Sequence, residues 1–224
     1  MNSEPSIPWP RFTAFIRQHM HDVRNGLNFI SLEAEVLKDR LPAGEATEGL
    51  RNISRQLQSL DKRLRFLAAF FQEPHPLPGS IAARTLMLVF QAAHADLSEA
   101  PEVQWIDELD GQQVSVDTDL LSPVFRELLS NAAVFSAEAS VTVIAKASER
   151  EVIFELREPK PEPVDTSGWG QPFLTTRHGG YGLSLWSAHR LLQANGATLT
   201  QYCAEGCLIS RIVFPLAGTN PDPL

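Results

Sequence analysis

With 224 residues, 43% of them hydrophobic and 21% charged, the chain has the make-up of an ordinary globular protein with room for two cores. Its formal net charge of -8 argues against a general binder of nucleic acid or anionic membranes, because neutralising phosphate takes clustered Lys and Arg. No apolar run approaches the roughly 20 residues that span a bilayer, and MNSEPSIPWP lacks the basic and apolar regions of a signal peptide, so the expected location is the cytoplasm.

Pro8 and Pro10 stand where a helix begins, since a proline in the first turn costs no intrahelical bond, and a helix is predicted from about 11 to 41. Its apolar seam is Ile16, Met20, Val23, Leu27, Ile30, Ala34, Leu37 and Leu41, in alternating steps of four and three. That is the spacing of a bundle or coiled-coil helix. Within it, His21 falls one residue past a seam position, with Asp22 beside it and Asn25 one turn on, so an imidazole is expected at the surface as a candidate nucleophile. Taken alone, HDVRN reads more readily as a surface cluster on a bundle helix.

Pro42, Ala43 and Gly44 break this helix, and a second seam follows through Leu50, Ile53, Leu57, Leu60, Leu64, Leu67 and Phe71. So short a connection forces an antiparallel hairpin. Two helices cannot cover both seams and the outlying Phe12, Phe15, Phe66 and Phe70, so a second copy is expected to complete a homodimeric four-helix bundle, the alternative being cover from the second domain. Arg51, Arg55, Lys62, Arg63 and Arg65 make the second helix locally basic, most simply as a solvated face. The first domain is thus placed at 8–72, and the proline-rich QEPHPLPG region makes 73–80 a linker.

From 81 to 216 the pattern turns to mixed helix and strand. Residues 81–95 read as a helix, 103–107 and 112–116 as short strands, 119–135 as a helix, and 141–147 with 151–157 as an antiparallel pair. Gly180 to Asn195 reads as a helix stopped by Gly196, before strands at 197–203 and 207–214. The fold class is α+β, a helical hairpin followed by an α/β sandwich, with a frayed tail at 217–224. Cys203 and Cys207 have no nearby histidine pattern and are expected to be reduced packing residues.

Three motifs come in order: HDVRN at 21–25; ELLSNAAVFS at 127–136; and FLTTRHGGYGLSLWSAHRLLQANGATL at 173–199, followed by EGCLISRIVFPL at 205–216. Together they resemble the bacterial sensor histidine kinases, in which a dimerisation and phosphoacceptor hairpin precedes an ATP-binding domain. The resemblance implies that His21 is the phosphoacceptor, that Asp22 accepts or orients its proton, and that Asn25 positions a water or a phosphoryl oxygen. His19 is the competing histidine and lacks an acidic successor.

In the nucleotide-binding half the resemblance implies that Glu127 and Asn131, four apart on one helical face, serve magnesium-bound phosphates, with Asn131 the metal-side residue. Asn131 as a simple helix-end cap is an equal reading. Gly179, Gly180 and Gly182 with Arg177 would bring backbone N–H groups and charge to a phosphate, although Ser184 replaces a family glycine.

One departure is large. Active family members carry an Asp–x–Gly–x–Gly turn after the strand at 151–157, where this chain reads REPKPEPVD. Glu158 stands near the adenine-reading Asp, while Lys160 and Glu162 stand near the glycines, among Pro159, Pro161 and Pro163. Adenine recognition is therefore expected to be weak or absent, and no cofactor is expected. The first expectation is a histidine phosphotransferase that exchanges a phosphoryl group on His21 with receiver aspartates of response regulators. Second comes a sensor-less autokinase using Mg-ATP, and third a non-catalytic adaptor that binds a receiver or a kinase.

Overall fold

The computed structural model describes residues 8–41, 44–135, 140–175 and 181–218. The chain divides into two compact units, the first ending at Glu73 and the second beginning at Pro74.

The first unit is a pair of long helices, α1 (Trp9–Arg40) and α2 (Glu45–Phe71), packed along each other. Pro10 lies in the first turn of α1, and Lys38 and Arg40 in its last turn face the negative end of the helix dipole. Residues near the start of α1, such as Arg17 and Met20, face Leu64 and Ala68 near the end of α2, so the helices run in opposite directions. Met20, Ala34 and Leu57 are buried between them. A second apolar set stays exposed: Val23, Ile30 and Leu37 at seven-residue steps on α1, and Ile53 and Leu60 at the same step on α2.

The second unit places three helices on one face of a mixed sheet. Its elements are β1 (Gly79–Ala82), α3 (Ala83–Ala95), β2 (Glu102–Glu108), β3 (Gln113–Val116), α4 (Thr118–Phe135), β4 (Ser140–Ala147), β5 (Glu151–Pro159), α5 (Ser184–Ala194), β6 (Thr198–Ala204) and β7 (Cys207–Pro215). The main sheet has the order β2-β4-β5-β7-β6, with β2 parallel to β4 and every other neighbour antiparallel, while β1 and β3 form a separate two-stranded ribbon.

Strand alternation decides what faces what. On β5, Val152, Phe154 and Leu156 point into the core against Leu86 and Phe90 of α3, Phe125 and Leu129 of α4, and Leu192 of α5. The rings of Phe90 and Phe125 stack with centroids 4.2 Å apart, and Phe154 meets Phe214 edge-on at 6.1 Å. The alternate residues of β5 meet the other face, where buried Glu155 is held by Lys146 at 3.2 Å and Arg157 at 3.0 Å. Burial works against the Glu155 carboxylate, but these two cations outweigh it and lower its pKa.

Beyond shifts of one or two residues at other ends, three boundaries differ from the sequence reading. Gly79 and Ser80, assigned to the linker, and Ile81 and Ala82, assigned to a helix, are strand β1, because pairing with β3 supplies partners that so short a segment cannot provide for itself. The last helix begins at Ser184 rather than Gly180, after Gly182 in a left-handed conformation. Glu158, placed beyond the strand, is its eighth residue, since β7 keeps pairing with β5 as far as Pro159 and Cys207.

Asp117 fixes the start of α4. Its Oδ1 accepts from the backbone N–H groups of Asp119 at 3.0 Å and Leu120 at 3.4 Å, while Oδ2 accepts from Leu77 at 2.9 Å, and these bonds lower its pKa. Cys203 and Cys207 are free thiols whose registers, opposite Leu208 and Ala204, set them on opposite faces of the β6–β7 pair.

Candidate functional site

Two groups of the predicted residues come together, one in each unit. In the first, the helical spacing of α1 brings Gln18, His21, Asp22 and Asn25 into one hydrogen-bonded set. His21 Nδ1 lies 3.2 Å from Asp22 Oδ1 and 3.3 Å from the Asn25 amide. Gln18 Nε2 donates to the same Asp22 oxygen at 2.9 Å. The hydrogen bond with His21, and then that with Gln18, lowers the Asp22 pKa.

A carboxylate facing Nδ1 favours the tautomer that carries its proton there, which leaves the Nε2 lone pair for an electrophile. The His21 side chain is 55% exposed, so that nitrogen is open to a large partner. His19, two residues away, instead stacks its ring on Phe15, with centroids 6.0 Å apart, and among the described residues no carboxylate hydrogen-bonds or ion-pairs with it, although its charge is felt at Asp22. The distinction between the histidines is therefore physical as well as positional.

The sequence reading missed the charges around this imidazole. A cavity of about 170 Å³ opens beside His21, lined by Arg17 and Arg24 of α1 and by Arg65 of α2 over Met20 and Leu64. The signal was present in the spacing, because Arg17 and Arg24 stand four before and three after His21 and so share its helical face. Arg65, read as part of a solvated face, is indeed exposed, and its Nε donates to Asp61 at 2.7 Å.

In the second unit, Glu127 and Asn131 sit one turn apart on α4, and the Asn131 amide donates to Glu127 Oε1 at 3.1 Å. Among the described residues no group of three or more His, Cys, Asp or Glu side chains converges as a ready-made metal site. One further turn along, the Phe135 carbonyl accepts a hydrogen bond from Lys160 Nζ. The same ammonium lies 3.3 Å from Glu158 Oε2, with the Lys160 side chain 8% exposed and that of Glu158 5%. Burial raises the Glu158 pKa, and Lys160 opposes that rise.

The Lys160 ammonium thus ties the last turn of α4 to the end of β5, through its bond to the Phe135 carbonyl and a desolvated ion pair with Glu158, at the place where the resemblance puts the adenine-reading residue. Gly182 has φ +64° and stands so close to the Phe173 and Leu174 backbone that a Cβ would come within 2.5 Å of Phe173 carbonyl carbon. Its visible role is to seat that segment, whose Phe173 N–H donates to the Gly182 carbonyl at 2.8 Å. Arg177 and Gly180, assigned to phosphate binding, lie outside the described residues.

The sequence matches no family model and no curated protein. Solved structures do match. Full-length ShkA, crystallised in complex with AMPPNP, superposes with a TM-score of 0.63 at 18% identity over 93% of this chain, which spans 47% of the ShkA chain. The Acinetobacter baumannii histidine kinase AdeS matches with a TM-score of 0.53 at 18% identity, covering 88% of this chain and 98% of its own. The histidine kinase ThkA, in complex with the response regulator TrrA, matches with a TM-score of 0.56 at 16% identity, covering 88% of this chain and 60% of its own. At these identities the likeness speaks of architecture, and the chain has the fold of the sensor histidine kinases.

Proposed function

We propose that this chain is a two-component signalling protein that carries a phosphoryl group on His21 and exchanges it with the receiver aspartates of response regulators. The observation that carries this reading is the exposed His21 imidazole with Nδ1 against Asp22, on the first long helix of a histidine-kinase fold. The nucleophile is Nε2. Asp22 supports the positive charge that the ring gains on phosphorylation, and the Asn25 amide, left without an acceptor at a protonated Nδ1, positions a water or a phosphoryl oxygen.

The Glu158–Lys160 pair favours a phosphotransferase over an autokinase. An adenine entering beside β5 would have to break a buried ion pair and strip the Phe135 carbonyl of its donor, so the residues present fit that ring poorly. The phosphoryl group then comes from another protein. Exposure of Val23, Ile30 and Leu37 along α1 supports a second copy of the chain as the cover for that seam, giving a dimeric four-helix bundle.

The test is transfer from a phosphorylated receiver domain. Wild type and His19→Ala should take up label and His21→Ala should not. Equal labelling of His21→Ala would reject the site. A second reading, the autokinase, draws on the adjacent Glu127 and Asn131, which would hold the magnesium-bound phosphates of ATP. Autophosphorylation by Mg-ATP alone, without a receiver, would establish it in place of the first.

A further inference from the structure

The cavity beside His21 carries more positive charge than the phosphoacceptor reading by itself calls for. Arg17, Arg24 and Arg65 line it, on a floor that includes Met20 and Leu64. Among the described residues neither Arg17 nor Arg24 has a carboxylate partner, and Arg65 has Asp61. The nearest carboxylate on α1, Asp22, is engaged by His21 and Gln18. A chain of net charge -8 thus lines a single cavity beside one imidazole with three arginines, from two helices.

We propose that Arg17, Arg24 and Arg65 form an anion cup that binds the phosphoryl group as it arrives at His21 and holds it there. This rests on His21 as the phosphoacceptor. In the step, the Nε2 lone pair attacks phosphorus of the receiver's aspartyl phosphate. A P–N bond forms, and the bond from phosphorus to the carboxylate oxygen breaks, its electron pair leaving with the aspartate. Nδ1 keeps its proton, so no base is needed, and the imidazolium charge faces Asp22. The phosphoryl group arrives as a dianion, and planar guanidinium forks match its oxygens. Met20, Leu64 and Ala68 in the same lining give the arginine stems apolar surface to lie on, while their charged heads favour water or an anion. Without the cup the dianion would stand beside Asp22 with the ring alone between the charges.

Two measurements test this on the full chain. In the first, inorganic phosphate is titrated while the His21 imidazole is followed by NMR. Wild type should show a saturable shift, and Arg17→Gln/Arg65→Gln should bind at least tenfold more weakly, with Arg17→Lys/Arg65→Lys regaining part of the loss. The same titration in wild type and the Gln variant, or no shift in wild type, overturns the proposal. In the second, phosphoramidate serves as a small phosphoryl donor that needs no protein partner. Label on wild type but not on His21→Ala, formed at least tenfold more slowly in the Gln variant, supports the cup, and an equal rate in the Gln variant overturns it. Label spread alike over wild type and His21→Ala rejects the phosphoacceptor reading instead, and the phosphate titration then decides the cup by itself. Equal melting temperatures of all variants show that the exposed arginines were removed without disturbing the helix pair.

Discussion

Replacing Lys160 by Met keeps the apolar stem but removes the ammonium that faces Glu158 and the Phe135 carbonyl. Two losses follow. The carbonyl loses a donor, which costs about 1 kcal/mol at any pH. Glu158 is left as a buried carboxylate without a partner, a defect of about 3–5 kcal/mol if it stays charged. It can escape by taking a proton, and that escape costs about 1.4 kcal/mol for each unit by which the pH exceeds its ordinary value of 4.5. The ceiling on this second loss is therefore about 4.8 kcal/mol at pH 8 and about 0.7 kcal/mol at pH 5.

The sign is fixed by the direction of the shift. A carboxyl whose folded pKa lies above its unfolded value contributes stability that is full below the unfolded value and fades as pH rises through the folded one. Lys160→Met should accordingly be destabilised by about 4–6 kcal/mol at pH 8, or roughly 8–24 °C for a unit of this size, and by about 1–2 kcal/mol at pH 5. Urea denaturation followed by tryptophan fluorescence reads it, because Trp105, Trp169 and Trp186 all lie in the second unit. Glu158→Gln/Lys160→Met should lose the pH dependence and keep only the deficit of about 1 kcal/mol from the Phe135 carbonyl. A deficit in Lys160→Met that is the same at pH 5 and pH 8 would refute the ion-pair account.

Asp117→Ala should cost about 1–2 kcal/mol in the same assay, through loss of the α4 cap and of the Leu77 tie. Glu155→Gln should lose about 1.5–3 kcal/mol near pH 7, since it weakens the bonds to Arg157 and Lys146. Its folded pKa is depressed, so wild-type Glu155 contributes stability above about pH 4.5 that is lost as pH falls through the folded value, and the gap to the variant should close in acid urea titrations. Gly182→Ala should loosen the Phe173–Leu174 segment, for both the positive φ and the close backbone contact oppose a Cβ, and limited proteolysis should then cut there at least several-fold faster.

What was legible in the sequence is what periodicity reports. The three-four rhythm through Met20 and Ala34 found α1 and its buried line, and the alternation in VTVIAKA and EVIFELR found β4 and β5 with their pairing. The spacing of His21, Asp22 and Asn25 found their hydrogen-bonded set. Features made by distant partners were out of reach. Strand β1 exists because β3 pairs with it from more than thirty residues on. Lys160 reads as a side chain in a glycine's place, and only the end of α4 shows that it is tied into the fold. Arg65 could not be joined to His21 until the packing of α2 on α1 was known.

The sheet order has a consequence for how the chain comes into being. β7, the last strand to be made, lies between β5 and β6, and β5 has no partner on that side until β7 arrives. While the ribosome is still supplying residues 207–215, β5 offers an unpaired edge carrying Val152, Phe154 and Leu156, and α4 and α5 have an incomplete surface to pack on. Closure of this unit therefore waits for β7, and a message truncated before 207 yields a chain with an open, adhesive sheet rather than a smaller domain. The helix pair precedes this unit in the chain and packs within itself, so its pairing does not wait for β7.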